Sequence, residues 1–195
     1  DINFLIKKID EKIKENKKIL FIDIGADIGY YSILIGNKFR EKIKIFSFEP
    51  LPESFEFLKE NIKINNLSDV IVPFNYALSD SEDDPYIIFN PLSPGDSSLI
   101  NSFNKGIKIK VKAKKLDDIL SDIVKDFDTV FVKMDVEGYE EKVLKGAKKF
   151  LENSREAFFF IEDFINPEII NFLEKNNFKF LSKLTPYNSF WIYKL

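Results

Sequence analysis

FIDIGADIGYYSILIG, residues Phe21 to Gly36, decides how this chain is read. Apolar residues run into Asp23, Gly25 and Gly29 bracket Asp27, and apolar residues at helical spacing follow. A buried strand, a tight loop and a helix are expected, the unit from which open parallel sheets are built. Ligands of such sheets sit outside the carboxyl ends of the strands, beside the first strand. Asp23, Gly25, Asp27 and Gly29 would lie there.

A loop for phosphate would carry glycines and no carboxylate. The dinucleotide fingerprint needs its second glycine so that pyrophosphate can approach the backbone. Counted from Gly25, that position holds Asp27, which would repel it. No GxxxxGK[ST] occurs, so a nucleotide-triphosphate loop is excluded as well. A cationic ligand suits the acids better. S-adenosylmethionine carries a sulfonium and an ammonium, which Asp23 and Asp27 favour, and a carboxylate that N–H groups at a helix start can take. Glu49, ending KIFSFE, stands where an acid reads ribose hydroxyls in nucleotide folds. The plainer alternative has Asp23 capping a turn, Glu49 solvated before Pro50, and the glycines serving strand–helix packing. As a partly exposed loop acid, Glu49 is expected to contribute little to the fold.

The rest of the chain alternates in the same way. FLIKKIDEKIKEN (4–16) reads as an amphipathic helix, and IKIFSFEP as a strand stopped by Pro50 and Pro52. ESFEFLKENIKINN is a helix, DVIVPFNYALSD a strand, and 79–98 a set of loops around one short strand. IKIKVKAKK is a half-exposed strand, LDDILSDIVKD a helix, TVFVKMD a buried strand, and EEKVLKGAKKFLEN one helix. AFFFIED and PEIINFLEKNN are a strand and a helix, and TPYN joins FKFLSKL to NSFWIYKL as an antiparallel pair. The expected fold is α/β: a mainly parallel, doubly wound sheet with an antiparallel C-terminal strand. A single domain over 1–195 is expected, with an N-terminal helix in 1–18 and an inserted loop, 79–105, over the top of the sheet.

Composition narrows the chemistry. The 195 residues suffice for one sizeable core, and 21 Phe in runs such as AFFFIEDF suggest strands buried on both faces. With no Cys there is neither a disulfide framework nor a thiolate metal site, and with no His the commonest general base is absent. Catalysis must then use carboxylates, Lys, Tyr, Ser or backbone groups. A net charge of −3 and a pI near 5.3 argue against a nucleic-acid partner, and KIKVKAKK reads as a solvated face. No apolar run approaches the ~20 residues that span a bilayer. No signal peptide is visible, so a cytoplasmic protein is expected.

FIDIGADIGYYSILIG, FEPLPESFEFLKENIKIN, NYALSD, LDDIL and VKMDVEGYEEKVLKGAKKFL together resemble the FkbM family of S-adenosylmethionine-dependent methyltransferases, from about residue 19 to 165. KMDVEGYE with the later LKGA is the most specific part. The resemblance implies the class I methyltransferase (Rossmann-like) fold and O-methylation of a hydroxyl on a sugar, glycan, lipid or other small metabolite. It also implies a donor-binding set of Asp23, Gly25, Ala26, Asp27, Gly29, Tyr30, Glu49, Pro50, Asn75, Ala77, Ser98 and Asp135. Family members often place a His after the Glu of IEDFIN, where this chain has Asp163 and Phe164. That departure speaks against His-assisted chemistry.

Methyl transfer from an activated donor needs in-line alignment and a base for the hydroxyl proton. Asp135, ending TVFVKMD beside the first strand, is the first candidate base; Glu137 and Glu162 are the others, and the three could converge above the sheet. Glu137 serves equally well as a helix-dipole acid in a first turn. Lys133 reads as a strand-edge lysine with a packed stem and its amine at the surface. One of Tyr30 and Tyr31 is expected over the donor pocket while the other packs, and Ser97 and Ser98 are candidates to cover the donor. Converging carboxylates could also hold Mg²⁺. The expected partner is a small-molecule or glycan acceptor. The rival functions are an RNA methyltransferase on the same fold and a non-catalytic donor-binding subunit.

Overall fold

The structure, a computed structural model, describes residues 2–89, 107–136, 138–162 and 167–194. In chain order its strands are β1 (Ile19–Ile24), β2 (Ile43–Phe48), β3 (Ile71–Phe74), β4 (Ala77–Leu78), β5 (Tyr86–Phe89), β6 (Ile107–Lys110), β7 (Ala113–Lys114), β8 (Thr129–Met134), β9 (Ala157–Glu162), β10 (Phe178–Lys183) and β11 (Asn188–Tyr193). Its helices are α1 (Ile2–Lys14), α2 (Tyr30–Phe39), α3 (Pro52–Ile64), α4 (Leu116–Leu120), α5 (Glu140–Lys145), α6 (Lys148–Asn153) and α7 (Pro167–Lys175).

Seven strands form one sheet in the order β10-β11-β9-β8-β1-β2-β3. The five strands from β9 to β3 run parallel, and β11 is antiparallel to both of its neighbours. Successive strands move outward from β1 to β3, then return to the other side of β1 as β8. The order therefore reverses between β1 and β8, the switch point where such sheets take ligands.

Alternation along the strands divides the core in two. Leu20, Ile22, Ile24, Val130, Val132, Met134 and Phe159 pack with Leu116, Leu144, Phe150 and Leu173 from α4 to α7. Ile19, Phe21, Ile45, Phe131, Phe160 and Phe190 face the other way, beneath Leu5 and Ile9 of α1, Ile35 of α2 and Leu58 of α3. Helices thus cover both faces, which is why the central strands read as nearly unbroken apolar runs.

Several elements expected whole are divided by distant contacts. The helix over EEKVLKGAKKFLEN breaks at Gly146, where a Cβ would lie 2.0 Å from the Ser79 carbonyl oxygen. The Asp117 N–H also donates to the Gly146 carbonyl at 3.0 Å, so three segments meet at the break. LDDILSDIVKD ends its α-helix at Leu120 and resumes as a 3₁₀ turn over Ile123–Asp126. DVIVPFNYALSD gives edge strand β3, where Pro73 is tolerated, and then β4, which pairs with β7. IKIKVKAKK is likewise shared between β6 and β7. The described part of the insertion is the β5–β6 hairpin, anchored near the carboxyl end of β2 by Ile87, Ile109 and Val111 packing with Leu51 and Ala77. In the TPYN turn the Thr185 hydroxyl oxygen accepts the N–H groups of Tyr187 and Asn188. Among the described residues no helix is long and apolar enough to cross a membrane.

Candidate functional site

Register builds the floor of the site. Asp23 of β1 lies opposite Ser47 of β2 and Lys133 of β8, and Lys133 lies opposite Phe160 of β9. Asp23 points away from Leu20, Ile22 and Ile24, toward α2. There the Ser32 hydroxyl donates to its Oδ2 at 2.6 Å, the Ser32 N–H does so at 3.2 Å, and the Ser32 and Ser47 hydroxyls share a 2.7 Å bond. Asp23 is fully buried, so it acts from behind the loop rather than on the cleft wall. Burial raises its carboxyl above the usual range, against the pull of Lys133 and Ser32.

Lys133 departs from its expected surface position: it is 5% exposed. Its ammonium donates to the Gly25 carbonyl at 2.8 Å, lies 3.5 Å from Asp135 Oδ2 and 3.6 Å from Asp23 Oδ1, and stands 5.2 Å from the Tyr31 ring centre. Burial alone would lower its pKa, but the facing carboxylates of Asp23 and Asp135 overcome that and leave it raised. A charge taken from water persists when such partners surround it.

The loop above is shaped by its glycines. Gly25 has φ +74°, and a Cβ there would stand 1.9 Å from the Asp135 carbonyl oxygen. The N–H groups of Gly25 and Ala26 both donate to the Phe48 carbonyl at 3.0 Å, so the loop spans the ends of β1 and β2. Gly29, at φ +92°, closes the turn with its N–H on the Ala26 carbonyl. Asp27, at φ +47°, leaves its side chain exposed while its N–H donates to Glu49 Oε2 at 2.8 Å.

Glu49 is buried, contrary to the expectation of a partly exposed acid. Its second oxygen accepts the Leu51 N–H at 2.8 Å, and burial pushes it up to about 7. Asn75 donates to the carbonyls of Glu49 and Pro50, and Ala77 is buried where β4 meets β7. Asp27, Ile28, Leu51, Pro52, Phe57 and Ile109 line a cleft of about 220 Å³ beside this corner.

Acids of β8 and β9 complete the other half. Asp135 follows β8, its side chain about one-third exposed, and Glu162 ends β9 half-buried. Both act on Lys133 and on Tyr31, whose hydroxyl is pushed up to about 12 by burial and then by Asp23, Glu162 and Asp135. Tyr31 packs near Phe160, while Tyr30 stands 58% exposed with its ring edge-on to Tyr31. Glu140, which spacing did not single out, is buried: it accepts the Gly138 N–H at 3.0 Å and so shapes the turn after Asp135. The only advance signal was a second acid closing KMDVEGYE. Glu137, Ser97, Ser98, Asp163 and Phe164 lie outside the described residues. No group of three or more metal-ligating side chains occurs among the described residues. Mg²⁺ finds no support in this geometry, since the cation between Asp23 and Asp135 is Lys133.

Solved structures share this architecture. An S-adenosylmethionine-dependent O-methyltransferase from Thermotoga maritima is 12% identical at a TM-score of 0.56, with 99% of this chain and 64% of that one covered. Human methyltransferase 10 domain containing protein is 14% identical at 0.55, with 98% and 79% covered. Likeness at that identity concerns the fold alone, which is that of the Rossmann-like class I methyltransferases. The profile described as the Methyltransferase FkbM domain matches residues 23–180, and the chain belongs to that family. Methyltransferase sdnD of Sordaria araneosa is 28% identical over 153 residues, 64% of this chain and 59% of that protein. Hexuronic acid methyltransferase AglP of Haloferax volcanii is 30% identical over 131 residues, 67% of this chain and 51% of that protein. This chain thus spans between 51% and 59% of the length of these relatives.

Proposed function

We propose that this protein binds S-adenosylmethionine and methylates a hydroxyl group on a sugar, glycan or other small metabolite. The observation that carries the reading is the ring of acids about the Gly25 loop: exposed Asp27, fixed Glu49, and Asp135 at the end of β8. That set suits a ligand with positive charge and vicinal hydroxyls, and it is hostile to pyrophosphate. When bound, the donor supplies a methyl group already activated on sulfur. Glu49, held by two backbone N–H groups, has lone pairs left for ribose hydroxyls. Asp135 would take the acceptor's hydroxyl proton, with Glu162 as the neighbouring acid. The hexuronic acid methyltransferase among the relatives supports a sugar-like acceptor.

Three measurements test this. Calorimetry with S-adenosylhomocysteine and with NAD should give binding for the first alone; the reverse would sink the donor assignment. A screen of hydroxyl-bearing sugars, glycans and lipids with radiolabelled donor then identifies the acceptor. With that acceptor, Asp135→Asn should slow single-turnover transfer by roughly 10²–10⁴-fold with little change in donor affinity. A joint fall in affinity and rate would make Asp135 a donor anchor, and parental turnover would shift the role to Glu162.

A further inference from the structure

The geometry points to Lys133 as a positioning residue: its buried ammonium bonds the Gly25 carbonyl while standing between the Asp23 and Asp135 carboxylates, so that the end of β8 holds the loop after β1 in place. This rests on the donor reading above and assigns a residue that reading does not need.

The simpler role for Lys133 is charge partner to Asp23, its register neighbour. Distances show that charge balance is only part of its role. A charge-assisted bond between ammonium and carboxylate is ordinarily about 2.7–2.9 Å. Lys133 stands farther than that from both flanking acids, 3.6 Å from Asp23 Oδ1 and 3.5 Å from Asp135 Oδ2, and the buried Asp23 Oδ1 is left without a hydrogen bond. The short contact, 2.8 Å, goes to the Gly25 carbonyl. The ammonium is therefore drawn upward to the loop, at the expense of the acid beside it. Asp23 meanwhile takes both of its donors from Ser32.

Two further contacts fix the position. The Tyr31 ring lies 5.2 Å from the ammonium, and Asp135 approaches it to 3.5 Å. The same segment is gripped from the other side, because Gly25 packs directly on the Asp135 carbonyl and the Asp135 N–H donates to the Ile24 carbonyl at 3.1 Å. Lys133 thus closes a bracket between the β1 loop and the end of β8. A permanent cation beneath a site for a cationic ligand also weakens the ligand's electrostatic gain. Attraction of the donor does not explain its presence, and orientation does.

The test separates positioning from charge balance. Lys133→Met is made alone and together with Asp23→Asn, which leaves no unpaired buried carboxylate. S-adenosylhomocysteine, which lacks the sulfonium charge, is the calorimetric probe. The single variant should lose thermal stability and the double variant should regain most of it. Affinity in the double variant should nevertheless stay roughly 10-fold or more below that of Asp23→Asn alone. Amide exchange at Ala26 and Asp27 should be faster than in the parent. Affinity and exchange in a folded double variant equal to those of Asp23→Asn alone would reduce Lys133 to the partner of Asp23. A double variant that stays unfolded even in trimethylamine N-oxide would also overturn the proposal, assigning Lys133 to the fold. Absence of binding by the parent protein would instead overturn the donor reading itself.

Discussion

Two adjacent strand ends hold a buried carboxylate in different ways. At β2, Glu49 is gripped by neutral donors alone, the N–H groups of Asp27 and Leu51, and burial pushes it up to about 7. At β1, Asp23 has Ser32 on one oxygen and faces the Lys133 ammonium with the other. The first carboxylate has a charge that neutral pH can switch, and the second sits against a permanent cation. One corner of the sheet thus joins a carboxylate of adjustable charge to a fixed electrostatic floor.

Gly25 joins the two ends, so the contrast breaks most completely there. Its N–H belongs to β2 through Phe48 and its carbonyl belongs to Lys133. Gly25→Ala meets both the positive φ and the Asp135 carbonyl, and should destabilise the protein by roughly 3–5 kcal/mol in urea titration. A loss under about 1 kcal/mol would mean that the loop can lift off β8. Next comes Glu49→Ala, which strips the acceptor from two backbone N–H groups. Roughly 2–4 kcal/mol of stability should go, and S-adenosylhomocysteine affinity should fall about 10- to 150-fold. Unchanged stability would mean that water serves those groups as well as the carboxylate does.

The pH response sharpens the comparison further. Glu49 has a folded value of about 7 against an ordinary 4.5. Across that window the folded state keeps a proton that the unfolded chain has released. The stability contributed is therefore present below the ordinary value and lost as pH rises toward 7, by up to about 1.4 kcal/mol per unit. Glu49→Gln should flatten this slope. If Glu49 takes the ribose hydroxyls as proposed, they donate to its ionised form, and donor affinity should move oppositely, tightening up to roughly tenfold per unit as pH approaches 7. Calorimetry at about pH 6 and about pH 8 decides it; affinity independent of pH would remove Glu49 from the ribose. The smallest effect belongs to Tyr30→Ala. Losing one edge-on ring pair should cost roughly 0.5–1.5 kcal/mol, and a larger loss would show that Tyr30 packs more deeply than its exposure indicates.

What could be read in the sequence was what local signals carry. An apolar run, two glycines and helical spacing locate β1, the loop and α2, and the acid after β2 marks Glu49 by simple reach. Burial of Glu49 was not legible, because it depends on Leu51 and Asn75 folding back over it. Lys133 was misread because a strand in isolation does not name its register partners. A signal existed nonetheless: a lysine inside a strand apolar on both faces must be paired, and Asp23 offered the charge. The break at Gly146 was hidden for the same reason, since the Ser79 carbonyl packed against it lies far away in sequence.

The position of β11 between β9 and β10 sets an order of assembly. Among the described residues β10 has no strand neighbour in the main sheet other than β11, so it cannot join before β11 has docked on β9. Either β11 arrives first or the two arrive together as a preformed hairpin closed by Thr185. Backbone amides of β10, at the edge of the sheet, should accordingly be among the first to lose protection when the native protein opens locally.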